Sequence, residues 1–568
     1  MIKRFVTTLT AALLLAGCAA SPAPRSIAPV YDKGMVSAAE PRGAEAGAEI
    51  LRAGGSATDA ALATLLALTV VEPQSSGIGG GGFLLVDDGH GKVASFDGRE
   101  KAPLAAGPDW FFVNGQPLTT PQAIPGGRSV GVPGNIRLMA LAHERFGKLA
   151  WSALFGPAIR LARDGWVQTP RNVAFLSGES ETGALSPQAR AIYYAADGQP
   201  LPAGTVIKNP ALAAFLESLA ARGPDSFYVG PNAQAIVSAV TTAPRNPAPM
   251  VAGDLAAYSA KERTPVCGTY RSYRICGMGP PSSGATTVFA TLKQLERFDL
   301  KALGPNSPVA WHLIAESERL AYADRERYLA DPDFIEVPVG NLTAPEYLAE
   351  RSQLIAPDRT MASVTAGDPN KITVVLADGL TPPERGTSHF VAIDRTGQAA
   401  TLTSTIESSF GSGLMVNGYY LNNELTDLSI IPARNGVPVA NRVEGGKRPR
   451  SSMSPTLVYG PDGKLRLAVG AAGGATIPVQ VLKAIIGVID WGMTAQQALA
   501  APTIFAPGNT VYVEKGTALE AMIPALRALG HNDVQARAPS FKANAIEVVN
   551  GQLVGGVDPR SDGRAVSE

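Results

Sequence analysis

The sequence predicts an α+β fold built round a sheet that is buried on both faces. Three observations carry that expectation. Apolar helical patterns fill much of the chain before residue 330. Short strand-like runs joined by hairpin turns follow residue 387. Those runs are apolar at consecutive positions, not alternate ones, so both faces of their sheet must be covered.

The first residues belong to a different kind of segment. Lys3 and Arg4 precede an apolar stretch over 5–16, too short to span a bilayer, and small residues follow. That is a signal peptide over 1–17 rather than a buried first helix. It ends in LAGCAAS, which resembles a bacterial lipoprotein box with Cys18 as the lipidated residue. The alternative is ordinary cleavage that leaves a free thiol. Residues 18–30, rich in Pro and Ala, read as a tether. Together they place the mature chain on the periplasmic face of a bacterial membrane, the outer one, held by a lipid anchor.

Two helices open the mature part. AEPRGAEAGAEILRAGG ends at Gly54-Gly55, a C-terminal stop. SATDAALATLLALTVV offers Ser56 and Thr58 as caps and is apolar nearly all round, so it should be buried. Residues 77–82 then satisfy G-x-G-x-x-G. A dinucleotide site needs a strand before and a helix after, whereas here a helix precedes and a strand, 83–86, follows. Tight backbone passage is the better reading. NIRLMALAHERFG, SALFGPAIRLARDGW and the stretch 308–330 read as helices, and 340–385 is turn-rich. HFVAID and AATLTST flank a turn at 395–398, and TLVYGPDGKLRLAVG turns at Pro461-Asp462-Gly463.

Composition excludes several classes of function. The 49 basic residues balance the 49 acidic ones, so neither a nucleic-acid surface nor a polybasic membrane face is expected. Besides Cys18 only Cys267 and Cys276 remain, in PVCGTYRSYRICGM. A two-residue loop at Arg271-Ser272 pairs 270 with 273 and so sets 267 opposite 276. In a non-hydrogen-bonded pair the Cα atoms lie about 4.5 Å apart, within disulfide reach. An exported chain meets an oxidising compartment, so a Cys267–Cys276 bridge is predicted. Two free thiols on a slipped register are the alternative. No metal site is expected, because CxxC is absent and the five His are scattered.

The search for a nucleophile begins by elimination. G-x-S-x-G and the P-loop are both missing. An N-terminal Thr would need no His, since its hydroxyl is the nucleophile and its α-amine, with a pKa of about 7.7–8, is the base. Thr387, between the turn LTPPERG and an apolar strand, meets the local requirement. Many Thr residues follow turns, so the residues alone leave the nucleophile open.

Eight segments, in order, resemble the γ-glutamyltransferase family over nearly all of the exported length. They are GGSATDAALATLLALTVVEPQSSGIGGGGF, DGREKAP, PPSSGAT, GTSHFVAID, NNELTD, RPRSSMSPT, AAGGATIP and the closing GGVDPRSDGRA. The resemblance implies an N-terminal nucleophile hydrolase, a four-layer αββα sandwich. It implies a cut between Gly386 and Thr387, leaving a large subunit over 31–386 and a small catalytic one over 387–568 as one heterodimeric domain. No cofactor is implied. The implied partners are γ-glutamyl compounds such as glutathione, with water, amino acids or peptides as acceptors.

The same resemblance implies roles for individual residues. Arg99, Ser451 and Ser452 would hold the substrate α-carboxylate, for which a guanidinium fork is suited. Glu424 and Asp427 would take its ammonium. Gly473 and Gly474 would form the oxyanion hole, and Thr405 would hydrogen-bond the nucleophile. Read singly, each has an ordinary alternative: a surface ion pair between Arg99 and Glu100, solvated turn acids, loop serines, a plain turn, a strand threonine. Glu407 departs from the pattern, standing where Asn is common. Three carboxylates would then surround one ammonium, so either one is protonated near neutral pH or Glu407 turns toward Arg99. The loop 428–447 resembles a lid without an aromatic gate residue. Two other functions stay open: a cephalosporin (glutaryl-amide) acylase, and a surface binding lipoprotein with a dead site.

Overall fold

The computed structural model describes residues 29–369, 376–379, 386–539 and 541–568. The predicted leader, Cys18 and all but the last two residues of the tether lie outside the described residues.

The first elements are β1 (Met35–Ala38), α1 (Pro41–Arg52), α2 (Ala57–Val71), β2 (Gly81–Asp87) and β3 (Val93–Asp97). Helix α1 is capped by Glu40, whose carboxylate accepts from the Arg42 and Gly43 amides. Helix α2 starts in a capping box: Ser56 Oγ accepts from the Asp59 amide and Asp59 accepts from the Ser56 amide. Thr58, the other predicted cap, does something else. Its amide and hydroxyl both donate to Gln398 Oε1, at 3.0 and 2.9 Å. All of α2 is buried, as its all-round apolar sequence requires.

Helices α3 (Asn135–Phe146) and α4 (Gly156–Asp164) fall within the predicted 130–170 stretch. Residues 170–256, which carry no strong periodic pattern, form further short helices. Three of them, Pro170–Gly178, Pro210–Arg222 and Pro231–Thr241, begin with proline in the first turn. Strands β4 (Lys261–Arg263), β5 (Val266–Tyr270) and β6 (Tyr273–Gly277) follow. Next come helices α5 (Gly284–Leu295) and α6 (Pro308–Tyr328). The turn-rich stretch after them still holds one helix, Pro345–Gln353.

The remaining elements are β7 (Gly386–Ile393), β8 (Ala399–Glu407), β9 (Thr456–Tyr459), β10 (Leu465–Ala472), α7 (Ile477–Ile489), β11 (Lys542–Val549), β12 (Gln552–Val557) and β13 (Arg564–Ser567). One antiparallel sheet runs β13-β1-β7-β8-β2-β3-β4 and a second runs β12-β11-β10-β9-β6-β5. Strand β7 packs on β10 and β11 of the second sheet. Helices α1 and α2 lie on the outer face of the first sheet, and α5 and α7 on that of the second.

This is the four-layer αββα sandwich. The side chains of the first sheet divide accordingly. Leu84, Val86, Phe390 and Ala392 join the core under α2, whereas Phe83, Leu85, Val391 and Ile393 join the core between the sheets. Period-two alternation with both sides apolar yields the unbroken apolar runs.

The glycine run before β2 is a matter of space. A Cβ on Gly80 would lie 1.9 Å from the Thr405 carbonyl oxygen, and one on Gly79 would lie 2.0 Å from that of Tyr420. The G-x-G-x-x-G match is therefore backbone passage, not a phosphate loop.

The predicted hairpin forms with 270 opposite 273, and Cys267 and Cys276 are disulfide-bonded with Cα atoms 4.1 Å apart. Strand β5 is the sheet edge, so this bridge fixes the last strand's register. Closing so short a loop constrains the unfolded chain by about 2–3 kcal/mol. A chain with both cysteines changed to Ser is expected to lose about that much stability in denaturant titration. No loss would mean that β6 and its neighbours hold the edge unaided.

Candidate active site

Thr387 is the second residue of β7 and is buried. Its hydroxyl lies against the carbonyl oxygen of Gly386 and 3.2 Å from Thr405 Oγ1. Thr405 Oγ1 donates to the same Gly386 oxygen at 2.6 Å and accepts from the Glu407 amide at 2.8 Å. A relay Glu407 N–H to Thr405 O–H to the Gly386 carbonyl therefore polarises the bond before Thr387. The β7–β8 register shifts just there, between Gly386 and Ser388. That irregularity turns Thr387 out of a plain ladder position.

The backbone behind Thr387 is tied on two sides. Ser388 Oγ donates to Glu72 at the end of α2, and Glu72 pairs with Lys542 Nζ at 2.7 Å. Lys542 stands opposite Ala472 in the second sheet, directly before Gly473 and Gly474. Both glycines have positive φ, 129° and 59°, so the chain leaves the sheet there in a conformation that side chains disfavour. At the far end of the hairpin, Asp394 accepts from the Ala57 amide at 3.0 Å. His389 is a buried sheet residue bonded to Thr403, and burial lowers its pKa to about 3, so it stays neutral.

The predicted head-group ligands come together as one ion cluster. Arg99 is not at the surface and its main partner is not Glu100. The guanidinium is 1% exposed and binds Glu424 through Nη1 and Asp427 through Nη2. Arg99 also donates to the carbonyls of Pro449 and Arg450, at 3.1 and 3.0 Å, which fixes the segment leading to Ser451 and Ser452. One oxygen of each acid, Glu424 Oε2 and Asp427 Oδ1, has no donor among the described residues. Glu100 lies 4.0 Å from Arg99, and burial pushes its carboxyl up to about 7.

Glu407 does not turn to Arg99. Its Oε2 accepts from Asn423 Nδ2 and from Ser408 Oγ. Its backbone is left-handed, φ 76°, an uncommon state for a residue with a side chain. Burial first, and the Asp427 charge second, push its carboxyl up to about 8. Burial pushes the Glu424 carboxyl well above the ordinary range too, so the predicted protonation falls on Glu407 and Glu424 together. Asn423, which the sequence reading does not single out, links β8 to the acid cluster: it binds Glu407 and directly precedes Glu424. Asn441, in the lid-like loop, does similar work, donating to the Asp427 carbonyl at 2.6 Å and accepting from the Arg450 amide at 3.0 Å. The loop itself carries a two-residue hairpin, Ala433–Arg434 with Val437–Pro438.

Comparison with known proteins decides the family. The family model described as Gamma-glutamyltranspeptidase matches residues 43–567. The chain belongs to the gamma-glutamyltranspeptidase family. It is 35% identical to the glutathione hydrolase proenzyme of Bacillus subtilis (strain 168), over 94% of this chain and 91% of that one. Among solved structures, the cephalosporin acylase from Bacillus halodurans superposes with TM-score 0.81 at 26% identity, over 98% of this chain and 99% of that one. The gamma-glutamyltranspeptidase of Helicobacter pylori matches with TM-score 0.55 at 32% identity, over 60% of this chain and 95% of that one.

Away from this site, the fold gathers two of the scattered His. His312 Nδ1 and His531 Nε2 lie 2.8 Å apart, and Glu316 is within reach of the same point. The Glu316 carboxylate is already held by Arg319, Thr360 and the Met361 amide, so the group reads as a hydrogen-bonded part of the core.

The raised carboxyl of Glu407 has a definite sign in stability. Below the ordinary carboxyl range both folded and unfolded chains hold the proton; as pH rises through about 8 the folded chain must give it up, and the contribution is lost. Glu407→Gln removes that dependence. Between about pH 5 and about pH 9 its Tm should fall less than that of the unaltered chain. Equal falls would exclude a protonated Glu407.

Proposed function

We propose that the chain cuts itself between Gly386 and Thr387, and that Thr387 then acts as the nucleophile of a γ-glutamyl transferase and hydrolase. Its donors are glutathione and other γ-glutamyl amides; its acceptors are water, amino acids or peptides. The observation that carries this reading is the buried pairing of Arg99 with Glu424 and Asp427, joined through Asn423 and Glu407 to the strand pair bearing Thr387. An α-amino acid head group is the ligand that matches it. Its carboxylate can take over Arg99, and its ammonium the two acids, exchanging the two internal ion pairs for pairs with the ligand.

In the first step Thr387 Oγ attacks the Gly386 carbonyl carbon. Thr405 donates to the oxygen that becomes negative, the hydroxyl proton passes to the Thr387 nitrogen as the peptide C–N bond gives way to an ester, and water hydrolyses that ester. This frees an α-amine on Thr387. In turnover, Oγ attacks the γ-carbonyl of the donor and its proton passes to that amine. Gly473 and Gly474 amides stabilise the oxyanion, commonly worth about 2.7–4 kcal/mol per donor. The proton then goes to the leaving amine, and the γ-glutamyl ester is transferred to water or an acceptor amine. Ser451 and Ser452 complete the carboxylate site.

Likeness to a cephalosporin acylase over nearly the whole chain favours a second reading, a glutaryl-amide acylase. Glutaryl has no ammonium, so Glu424 and Asp427 would face it unpaired, which disfavours that reading. A binding lipoprotein with a dead site would have no use for the Thr387–Thr405–Gly386 geometry. Export and a lipid on Cys18 belong to the proposal too; their support is the pattern of residues 1–18, and the mass of the mature large chain tests them.

Two outcomes follow. Purified protein should run as two chains and Thr387→Ala as one, without activity; a doubly banded mutant places the cut elsewhere. Turnover of glutathione should exceed that of a glutaryl amide by at least about tenfold in kcat/KM, the scale of one charge-assisted contact. The reverse order would establish the acylase.

A further inference from the structure

The last full turn of α6 carries a guanidinium that the reaction as described does not use. Arg325 is buried, and its fork spans two separate segments. Nε donates to Ser283 Oγ at 2.8 Å and Nη2 donates to Ser452 Oγ at 2.7 Å. Ser283 Oγ in turn donates to the Ser451 carbonyl at 2.7 Å. Glu326 binds both Arg325 and Arg450, and Arg450 Nη1 donates back to the Arg325 carbonyl at 3.0 Å. The end of one helix thus clamps PPSSGAT to RPRSSMSPT. Its charge also reaches the acid cluster, since Arg325 is among the groups that hold the Asp427 carboxyl down.

The direction of these bonds matters. A guanidinium can only donate, and a serine hydroxyl has a single proton. With Arg325 on its lone pair, Ser452 keeps that proton for an acceptor, and it donates to none of the described residues. Ser451 is in the same state: its Oγ accepts from the Met453 amide at 3.1 Å. A pair of hydroxyls preset as donors is suited to an anion.

We infer that Arg325 is a positioning residue for the donor substrate, fixing Ser452 as a hydrogen-bond donor to the substrate α-carboxylate. This rests on the carboxylate role proposed for Ser451 and Ser452. A carboxylate contact is made alike in ground state and transition state, so its loss raises KM and spares kcat.

The test compares two chromogenic donors, γ-glutamyl-4-nitroanilide and 4-aminobutyryl-4-nitroanilide, which differ only in the α-carboxylate. For Arg325→Met the KM of the first should rise roughly tenfold or more, with kcat within about twofold, while kcat/KM for the second stays within about twofold of the unaltered chain. Ser452→Ala should show the same split, and the double variant should be no worse than Ser452→Ala alone. Arg325→Lys, which keeps the charge and one donor, should recover part of the loss. It also serves if Arg325→Met fails to cut itself, and a fall in its kcat with KM unchanged would overturn the inference. Equal losses on both anilides, or additive losses in the double variant, would overturn it as well. An unaltered chain inactive on both donors would overturn the function reading and this inference with it.

Discussion

The strand that begins at Gly386 is buried on both faces, and what surrounds Thr387 follows from that constraint. A strand packed between the second sheet and a helix has no water to satisfy its polar groups, so each must find a protein partner. Thr387 and Thr405 meet over the Gly386 oxygen because there is nowhere else for those groups to bond. Gly80 lets the preceding loop lie against β8 and Gly79 lets it lie against Tyr420, and Glu72 with Lys542 fills the space behind Ser388. The same closeness leaves the hydroxyl against the carbonyl group it is proposed to attack first.

Burial also governs the charges. Four carboxyl groups, from Glu100, Glu407, Glu424 and Asp427, share a dry region with the Arg99 guanidinium. All four have raised pKa values, and burial is the largest cause in each. Such a cluster is costly, and charge pairs in it gain less than their geometry suggests, because both partners lose their hydration. That cost is accepted here where a zwitterion could use it. Pairs at the rim, such as Arg145 with Glu262, are cheap and carry no comparable information.

Much of the frame is legible in the sequence, for reasons that differ between elements. Helix α2 and the β7–β8 hairpin are signalled by strong local patterns: a cap, an unbroken apolar run, a turn of fixed length. The helices over 170–256 are weaker signals, short and only partly apolar, and their proline starts were the clue. In the site, residue types are legible where they match a motif, as at Arg99, Thr387 and Glu424. Directions are not. Glu407 can be seen to be unusual, but its aim depends on Asn423, on Ser408 and on a left-handed backbone. Arg325 is invisible for the same reason. Nothing near it in sequence marks it out, and its partners lie 42 and 127 positions away.

The order of strands in the first sheet has a consequence for the life of the molecule. Strand β1, from before the proposed cut, lies between β13 and β7 from after it, and β8 lies beside β2. The two pieces are laced together like the fingers of two hands. Breaking one peptide bond would change the connectivity and leave the shape as it was. It would, however, erase the instructions: separated, the two lengths could no longer count on being neighbours, and each would hold strands whose partners belong to the other. Such a molecule can be assembled once, as a single thread, and unfolding after the cut would be a one-way door.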